Sequence, residues 1–258
     1  MPQTKIVFFD IDGTLIDMQA KKITPKMLET LHRLQDRGIK ICIATGRSPM
    51  VLPKIDGVAF DAYLTFNGSL CYDRKGVIFS NPIPHKDVVR FIQNAAALGR
   101  PVCVSTRGRL AANGTDTDLT DYFFIANEPV PVADDFDAVC AEDIYQLMLG
   151  CRPKDYPALL DGAPGAKIAA WWDRAVDVIP AGGGKGIGIE KMLAYYGLDK
   201  GEALAFGVAN NDREMLQAVG TGVAMENGSP ELKAIADEIC GPVYEDGIYH
   251  YCADKGLI

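Results

Sequence analysis

The chain has 258 residues, of which 48% are hydrophobic and 23% are charged, a composition typical of a globular protein with one large or two smaller domains. Its formal net charge of -8 argues against a broad nucleic-acid-binding surface, because such a surface needs clustered Lys and Arg. No apolar run is long enough to span a bilayer, and residues 1 to 5 lead into a strand without a signal-like segment. A cytoplasmic location, without membrane or nucleic-acid partners, is therefore expected.

The first predicted element is a buried strand that ends in two carboxylates. Ile6 to Phe9 is a short apolar run with a polar stop. Because side chains at i and i+2 of an extended backbone lie on the same side, Asp10 and Asp12 are expected to face one small volume. Carboxylates this close need a cation, a shared proton or strongly polar surroundings. The alternative is a pair of aspartates that only cap the turn at Gly13.

The next elements favour a parallel sheet. Thr24-Pro25 is typical of a helix start, and an apolar stripe continues from there to a stop at Gly38. Residues 39–44 form a second buried-strand pattern, so strand, helix and strand follow in order. Ligands of such sheets gather at the carboxyl ends of strands, where both Asp10 and Thr45 fall.

A third strand, at 62–66, ends at Asn67-Gly68, which fits a simple hairpin turn. Residues 69–73 and 77–80 are predicted to form a hairpin around Arg74-Lys75-Gly76, after which the pattern changes. From about Pro84 to Ile179 the order helix, strand, strand occurs twice, which indicates an α+β module. Its predicted helices are 86–98, 119–125 and 155–160, and its strands are 102–105, 109–112, 144–149, 168–172 and 176–179. In the strand at 168–172, Trp171 and Trp172 are expected to point to opposite faces.

The last segment returns to alternating helices and strands, so the α+β module is expected to be inserted in a parallel-sheet core. The predicted helices are 185–196, 213–219 and 230–236, and the strands are 203–206 and 222–225. Gly182 to Gly186 opens the first of these helices, and backbone amides beside Lys185 are suited to an anion. The segment lacks the Ser or Thr of a P-loop and the glycine spacing of a dinucleotide site, which argues against a nicotinamide oxidoreductase. A solvated lysine on a linker is the alternative for Lys185.

The seven cysteines contain no Cys-Xaa-Xaa-Cys pair, so their spacing indicates neither a disulfide framework nor a metal site. They are interpreted as small buried hydrophobic residues. The three histidines are scattered through helical or loop segments, where packing or surface roles outweigh metal ligation.

Taken together, these segments resemble the haloacid dehalogenase (HAD) superfamily of phosphohydrolases, over nearly the whole chain. Asp10-Ile11-Asp12-Gly13-Thr14 resembles the first family motif, Ala44-Thr45-Gly46-Arg47 the second, and Lys185 the third. The layout resembles the Cof-like branch with a type IIB cap. It implies an α/β fold: a Rossmann-like, doubly wound parallel-sheet core at 1–82 and 181–258, with an inserted α+β cap at 83–180 that closes over the substrate.

The resemblance also implies residue roles. Asp10 would be the nucleophile on phosphorus, and Asp12 would protonate the leaving oxygen and then activate water. The implied catalytic residues are Asp10, Asp12, Thr45 and Lys185. The implied substrate-binding residues are Gly46, Arg47, Asn67 and Asn211. The implied ligands of a Mg²⁺ cofactor are Asp10, Asp12 and Asp212.

One position departs from the family pattern. The fourth motif normally reads Gly-Asp-Xaa-Xaa-Asn-Asp, and here Val208 follows Gly207 where the first acidic residue belongs. Valine cannot coordinate Mg²⁺, although the ion is often held by one or two carboxylates with water and phosphate. Reduced metal affinity and activity are therefore expected.

The resemblance thus implies a Mg²⁺-dependent phosphatase that acts on a small phosphomonoester, a sugar phosphate or a phosphorylated cofactor, through an aspartyl-phosphate. The alternative is a phosphate-ligand-binding or regulatory protein that lost efficient turnover through Val208. The oligomeric state cannot be read from the sequence.

Overall fold

The computed structural model describes residues 3–125, 127–170 and 172–258, and its Cα positions divide the chain into two compact units. The larger unit consists of Met1–Arg47, Pro53–Ser80 and Gly184–Ile258. The smaller unit consists of Ser48–Leu52 and Asn81–Gly183. The domain boundaries given by the sequence, at 82/83 and 180/181, stay predictions.

The secondary structure alternates helices and strands through much of the chain. The strands are β1 (Ile6–Phe9), β2 (Lys40–Ala44), β3 (Ala62–Thr65), β4 (Leu70–Asp73), β5 (Gly76–Ser80), β6 (Cys103–Ser105), β7 (Leu110–Ala112), β8 (Gln146–Gly150), β9 (Ala166–Ala169), β10 (Ala175–Pro180), β11 (Ala203–Gly207), β12 (Thr221–Met225) and β13 (Glu238–Cys240). The helices are α1 (Pro25–Asp36), α2 (His85–Ala97), α3 (Thr117–Ile125), α4 (Phe136–Val139), α5 (Tyr156–Leu160), α6 (Lys185–Tyr196), α7 (Arg213–Ala218), α8 (Pro230–Lys233) and α9 (Gly247–Asp254).

The larger unit is built on an eight-stranded sheet in the order β13-β12-β11-β1-β2-β3-β4-β5. The strands from β13 to β3 pair in parallel, and only the hairpin strands β4 and β5 are antiparallel within this sheet. This arrangement confirms the predicted α/β class with a parallel-dominated core. The carboxyl ends of β1, β2, β3 and β11 lie next to one another at one edge, where ligands of such sheets bind.

The apolar sequence of β1 explains its central position. Ile6 and Phe8 point into a core shared with α6 and α7, while Phe9 stacks on Phe206 of β11 on the opposite face, with ring centroids 5.5 Å apart. Tyr251 of α9 packs edge-on against Phe206, at 5.4 Å. Because both faces are covered by helices, each residue of this strand is buried, as parallel sheets require.

The smaller unit contains one antiparallel sheet of five strands in the order β7-β6-β8-β10-β9. One face carries the main apolar core of the unit, where α2 packs against α5. The opposite face carries a smaller cluster around Met148 and Leu119, the latter from α3. The two predicted helix-strand-strand groups therefore share one sheet.

An ion cluster, here called the Asp118 cluster, lies in the smaller unit. It consists of Asp116, Asp118, Asp121, Arg100, Arg152 and Arg174. The guanidinium groups of Arg100, Arg152 and Arg174 approach the Asp118 carboxylate within 2.9–3.2 Å. Hydrogen bonds from Arg152 come first among the causes that hold the pKa of Asp118 below its usual value.

The structure corrects several predicted elements. The helix predicted at 230–236 ends at Lys233, because the Asp237 carboxylate accepts from the amide of Gly222 at 2.7 Å and the chain then pairs β13 with β12. The strand predicted at 168–172 ends at Ala169, so Trp172 lies beyond it, and Trp171 lies outside the described residues. Three short elements were not predicted, namely α4, α9 and β13.

Within the described ranges, no helix is long and apolar enough to cross a membrane. The seven cysteines are buried thiols, as the sequence interpretation expected.

Candidate active site

The turn after β1 carries both aspartates of the first motif. The amide of Asp10 donates to the carbonyl of Phe206 at 3.1 Å, so pairing with β11 continues up to this residue. Gly13 has φ of +81°, a conformation that glycine adopts without steric penalty and most residues avoid. The two carboxylates are unlike: the Asp10 side chain is 10% exposed, and that of Asp12 is 35% exposed.

Lys185, the first residue of α6, forms a buried ion cluster with two aspartates. Its Nζ lies 2.8 Å from Oδ1 of Asp10 and 2.6 Å from Oδ1 of Asp212. The side chains of Lys185 and Asp212 are fully buried. Burial alone lowers the pKa of Lys185, but the two carboxylates outweigh it and raise the pKa above its ordinary value. The two carboxylates therefore favour the charged form of the ammonium. The alternative of a solvated linker lysine is wrong, because the side chain is fully buried.

The buried ion cluster holds more negative than positive charge. Burial, followed by repulsion from Asp212, raises the pKa of Asp10 to about 7, although Lys185 opposes the shift. Asp12 adds to the same effect, so the two aspartates of the motif are electrostatic neighbours. A buried carboxylate of this kind becomes more stable when a further cation approaches it.

Glycines allow Lys185 to reach Asp10. A Cβ on Gly68, where φ is +91°, would collide with the backbone carbonyl of Gly184. A Cβ on Gly188 would lie 2.6 Å from Cδ1 of Leu64 and 3.0 Å from the Cα of Gly68. The first turn of α6 therefore packs directly against the loop after β3. The glycine-rich segment serves this close backbone approach.

Asp212 supports the lysine from the loop after β11. Its Oδ2 accepts hydrogen bonds from the amides of Val208 and Ala209, at 2.9 and 3.0 Å, while its Oδ1 accepts from Lys185. Both carboxylate oxygens are thus engaged by the protein itself. Direct coordination of a metal by Asp212 stays a prediction, and these contacts favour a supporting role.

Thr45 and Gly46 follow β2. The amide of Thr45 donates to the carbonyl of Leu64 at 2.9 Å, and its Oγ1 accepts from the amide of Arg47 at 3.1 Å. A Cβ on Gly46 would lie 3.1 Å from the side-chain amide of Asn67. The predicted second motif therefore forms a compact turn against the loop after β3.

That neighbouring loop has an unusual backbone. Phe66 and Asn67 are both left-handed, with φ of +51° and +52°, a costly conformation for a bulky residue. The amide of Asn67 donates to the carbonyl of Thr45 at 3.0 Å, and Oδ1 of Asn67 accepts from Nδ2 of Asn211 at 3.1 Å. Asn67 thus joins the loops after β2, β3 and β11, and the same turn also connects the antiparallel strands β3 and β4.

Arg47 contacts Asp12. Its Nε donates to Oδ2 of Asp12 at 2.9 Å and its Nη2 donates to Oδ1 at 2.6 Å. The substrate-binding role that the resemblance implies for Arg47 stays a prediction. All nine predicted site residues lie in the larger unit, in two groups of contacts. Asp10, Lys185 and Asp212 form one group, and the other consists of Asp12, Thr45, Gly46, Arg47, Asn67 and Asn211.

The donors available to Mg²⁺ are fewer than the family pattern provides. A Cβ on Gly13 would lie 3.4 Å from Cγ1 of Val208. The apolar side chain of Val208 therefore lies beside the turn that carries the first motif. Among the described residues, no three His, Cys, Asp or Glu side chains form a metal group. Oδ2 of Asp10 accepts one long hydrogen bond, from Thr14 at 3.4 Å, so this oxygen is the carboxylate donor that the protein engages least.

Two residues at the site were missed by sequence reasoning. Asn227 donates from Nδ2 to the carbonyl of Gly13 at 2.9 Å and accepts at Oδ1 from the amide of Val243 at 3.1 Å. Thr14 donates to Asp10, as noted above. Thr14 belongs to the recognised motif, and Asn227 follows the predicted strand at 222–225, so its position at a strand end was an available signal.

The chain is similar to known phosphatases over its whole length. A family model described as haloacid dehalogenase-like hydrolase matches residues 7–252. YkrA, a candidate phosphatase of Bacillus subtilis (strain 168), is 34% identical over 257 residues, which cover 99% of each chain. The solved structure of the phosphatase BT1666 from Bacteroides thetaiotaomicron is 29% identical, with a TM-score of 0.92 over 99% of this chain and 96% of that one.

A second solved structure, that of the HAD subclass IIB sugar phosphatase BT4131, is 28% identical, with a TM-score of 0.88 over 99% of this chain and all of that one (100%). The resemblance seen in the motifs is therefore confirmed. By this family match and these likenesses, the chain belongs to the haloacid dehalogenase-like hydrolase family, in its subclass IIB phosphatase branch.

Proposed function

We propose that this phosphatase hydrolyses a small phosphomonoester through a covalent intermediate on Asp10. The observation that carries the proposal is the buried ion pair between Lys185 and Asp10, 2.8 Å apart, at the carboxyl end of β1. A carboxylate held there by an ammonium is suited to attack phosphorus, since the same ammonium can neutralise the incoming phosphoryl oxygens.

Two steps complete the reaction. In the first, an oxygen of Asp10 forms a bond to phosphorus while the bond to the leaving oxygen breaks, and Asp12 gives that oxygen a proton. In the second, Asp12 takes a proton from water, whose oxygen attacks phosphorus and breaks the bond to Asp10. Inorganic phosphate leaves, and both aspartates return to their starting state.

Thr45, Gly46, Asn67 and Asn211 would bind the phosphoryl group. Among the described residues, Oγ1 of Thr45 accepts a hydrogen bond but donates none, which leaves its hydrogen for a phosphoryl oxygen. The side-chain amides of Asn67 and Asn211 lie on the neighbouring loops, and Gly46 leaves room for the amide of Asn67 to lie against the turn after β2. These contacts would hold phosphorus in line with Asp10.

Mg²⁺ is the proposed cofactor. Asp10 and the backbone carbonyl of Asp12 would hold it, and Asp212 would support the site. When bound, it would supply positive charge that offsets repulsion between the nucleophile and the phosphate. Val208 provides no anionic donor at a position where the family pattern has aspartate. We therefore expect weaker Mg²⁺ binding and slower turnover than with aspartate at position 208.

The proposed substrate class is a sugar phosphate, or else a phosphorylated cofactor. The support for a sugar phosphate is the likeness to BT4131, which is a sugar phosphatase. We also propose that residues 83–180 form the cap predicted from the sequence.

A second candidate is a phosphate-binding protein with little turnover. It is favoured by the apolar side chain of Val208 beside Gly13, in a site where the described residues contain no group of three metal-binding side chains. Such a protein would keep the pocket and lose most of the chemistry.

Hydrolysis of p-nitrophenyl phosphate over a Mg²⁺ titration tests both candidates. The chain as given, Val208→Asp and the uncharged control Val208→Asn would be compared, with Asp10→Asn as the inactive reference. We expect measurable Mg²⁺-dependent turnover in the chain as given. We also expect Val208→Asp, but not Val208→Asn, to lower the half-saturating Mg²⁺ concentration about tenfold or more, because it restores an anionic ligand.

Turnover in Val208→Asp alone would favour the binding protein. If Asp10→Asn retained the activity of the chain as given, the proposed aspartate chemistry would be wrong.

A further inference from the structure

The guanidinium of Arg47 meets the carboxylate of Asp12 side-on. Its Nε and Nη2 donate to the two carboxylate oxygens at 2.9 and 2.6 Å. Two parallel hydrogen bonds fix the position of a carboxylate and also the rotation of its plane. Within the described ranges, no other group donates a hydrogen bond to the side chain of Asp12. Arg47 is therefore the contact that orients this carboxylate.

Arg47 is itself held at its backbone. Its amide donates to Oγ1 of Thr45 at 3.1 Å, and its carbonyl accepts from the amide of Phe66 at 3.0 Å. Phe66 belongs to the left-handed turn after β3, which is also tied to the loop after β11 through Asn67. The backbone of Arg47 is thus hydrogen-bonded at the ends of β2 and β3, and these contacts hold the start of its side chain in place.

Charge neutralisation at the nucleophile is already provided by another residue. Lys185 is fully buried against Asp10, whereas the side chains of Arg47 and Asp12 are 34% and 35% exposed. The two aspartates of the first motif therefore pair with different cations, the buried Asp10 with Lys185 and the partly exposed Asp12 with Arg47. The edge of the guanidinium formed by Nε and Nη2, which could chelate a phosphoryl group, is engaged by Asp12 instead.

We propose that Arg47 is a positioning residue that aims the Asp12 carboxylate at the leaving oxygen, instead of a residue that binds the phosphoryl group. This inference rests on the proposed function, because it assigns Asp12 the proton transfer. Removing Arg47 then weakens proton donation to the leaving group and leaves the affinity for phosphate in place.

The test compares two substrates that differ in their need for a proton. p-Nitrophenolate leaves without much protonation, whereas the alkoxide of glycerol phosphate must be protonated as it leaves. For Arg47→Ala we expect kcat to fall about 10- to 100-fold more with glycerol phosphate than with p-nitrophenyl phosphate. KM and the inhibition constant of inorganic phosphate should stay within about threefold.

Two variants separate geometry from charge and from general damage. Arg47→Lys keeps the charge but cannot form the two-bond fork, so we expect it to resemble Arg47→Ala. Arg33→Ala removes an exposed arginine that pairs with Glu29 on α1, and it should behave as the unaltered chain. Circular dichroism and urea unfolding would establish that each variant is folded.

A double variant tests whether Arg47 acts through Asp12. In an Asp12→Asn background, Arg47→Ala should lower kcat for glycerol phosphate by less than about twofold, because the two residues act as a unit. A full additional loss would overturn the inference.

The inference would also be overturned by a rise of tenfold or more in KM and in the phosphate inhibition constant, with equal losses for both substrates. Full activity of Arg47→Lys would have the same meaning. These outcomes leave the proposed function intact, since that function fails only if the unaltered chain hydrolyses neither ester or if Asp10→Asn remains active.

Discussion

Two ion clusters of this protein both pair carboxylates with basic side chains, but the pKa of the central aspartate is shifted in opposite directions in the two clusters. In the larger unit, the single ammonium of Lys185 lies between the carboxylates of Asp10 and Asp212, and all three are buried or nearly so. In the smaller unit, three guanidinium groups surround the carboxylate of Asp118, with two further aspartates beside them, and the arginine side chains are 28–36% exposed.

The pKa shifts record the difference. Burial raises the pKa of Asp10 to about 7, whereas hydrogen bonds from the arginines lower that of Asp118. The Asp118 cluster has balanced its charges and remains in contact with water. The cluster at Lys185 keeps an unbalanced negative charge in a buried place, which is the condition expected where a cation or a reacting group still has to bind.

Lys185→Met is expected to have the largest effect on activity and stability. It leaves two carboxylates without their cation, so we expect kcat to fall by about 10²–10³-fold and the free energy of unfolding to fall by about 3–5 kcal/mol. Steady-state kinetics and urea unfolding measure the two effects. Lys191→Met is the control: it removes an exposed lysine of the same helix, whose Nζ lies 5.7 Å from the centroid of the Phe79 ring. It should leave kcat unchanged and lower the free energy of unfolding by no more than about 1 kcal/mol.

Gly68→Ala tests whether backbone contact, and not charge alone, places the lysine. The added methyl group would meet the carbonyl of Gly184, so we expect a loss of about 3 kcal/mol of unfolding free energy together with a clear loss of kcat. Gly38→Ala has a similar positive φ, +74°, but nothing within 4 Å of the new methyl group, and should lose only about 1 kcal/mol. Equal losses in the two variants would argue against the packing explanation.

Asp118→Asn probes the balanced cluster. One carboxylate that serves three arginines is lost, but water reaches the arginines, so we expect a decrease of about 1–2 kcal/mol in unfolding free energy. The loss should shrink when the salt concentration is raised. kcat and KM should not change, and a large change in either would show that this cluster takes part in the reaction.

The smallest expected effect is the pH dependence of the unfolding free energy lost in Asp118→Asn. Since the pKa of Asp118 is lower in the folded chain than its ordinary 3.8, its stabilisation is complete above 3.8 and disappears as the pH falls through the folded value. Urea unfolding of the unaltered chain and Asp118→Asn should therefore give a constant difference from pH 5 to 7. That difference should narrow below pH 4, and a gap that stayed constant down to pH 3 would contradict the assignment.

Much of the fold could be predicted because the local signals were strong. The apolar run at 6–9, the Thr24-Pro25 helix start and the Gly38 stop reproduce β1 and α1 within a residue or two. The Thr24 hydroxyl accepts from the amide of Met27 at 3.1 Å, as a capping residue should. Shorter elements such as α4 and β13 lack such signals, and tertiary pairing decides where they begin and end.

Motif spacing predicted which residues belong to the site, but it did not predict which of them contact one another. The proximity of Lys185 to Asp10 follows from a strand and a helix start that both point to one sheet edge. The pairing of Arg47 with Asp12, and of Asp212 with Lys185, depends on side-chain directions in two turns, which no periodic pattern encodes. Asn227 was missed because it lies in Glu226-Asn227-Gly228, which has the composition of an ordinary turn.

The order of strands in the larger sheet has a consequence for biosynthesis. β1 pairs with β2, which follows soon after it, and with β11, which begins only at Ala203. At ribosomal speeds the second partner is translated roughly 10–40 s after the first strand. During that interval one hydrogen-bonding edge of an apolar strand has no native neighbour, and such edges promote aggregation. Truncated products that stop before residue 203 should therefore be prone to chaperone capture, however well the rest of their sequence folds.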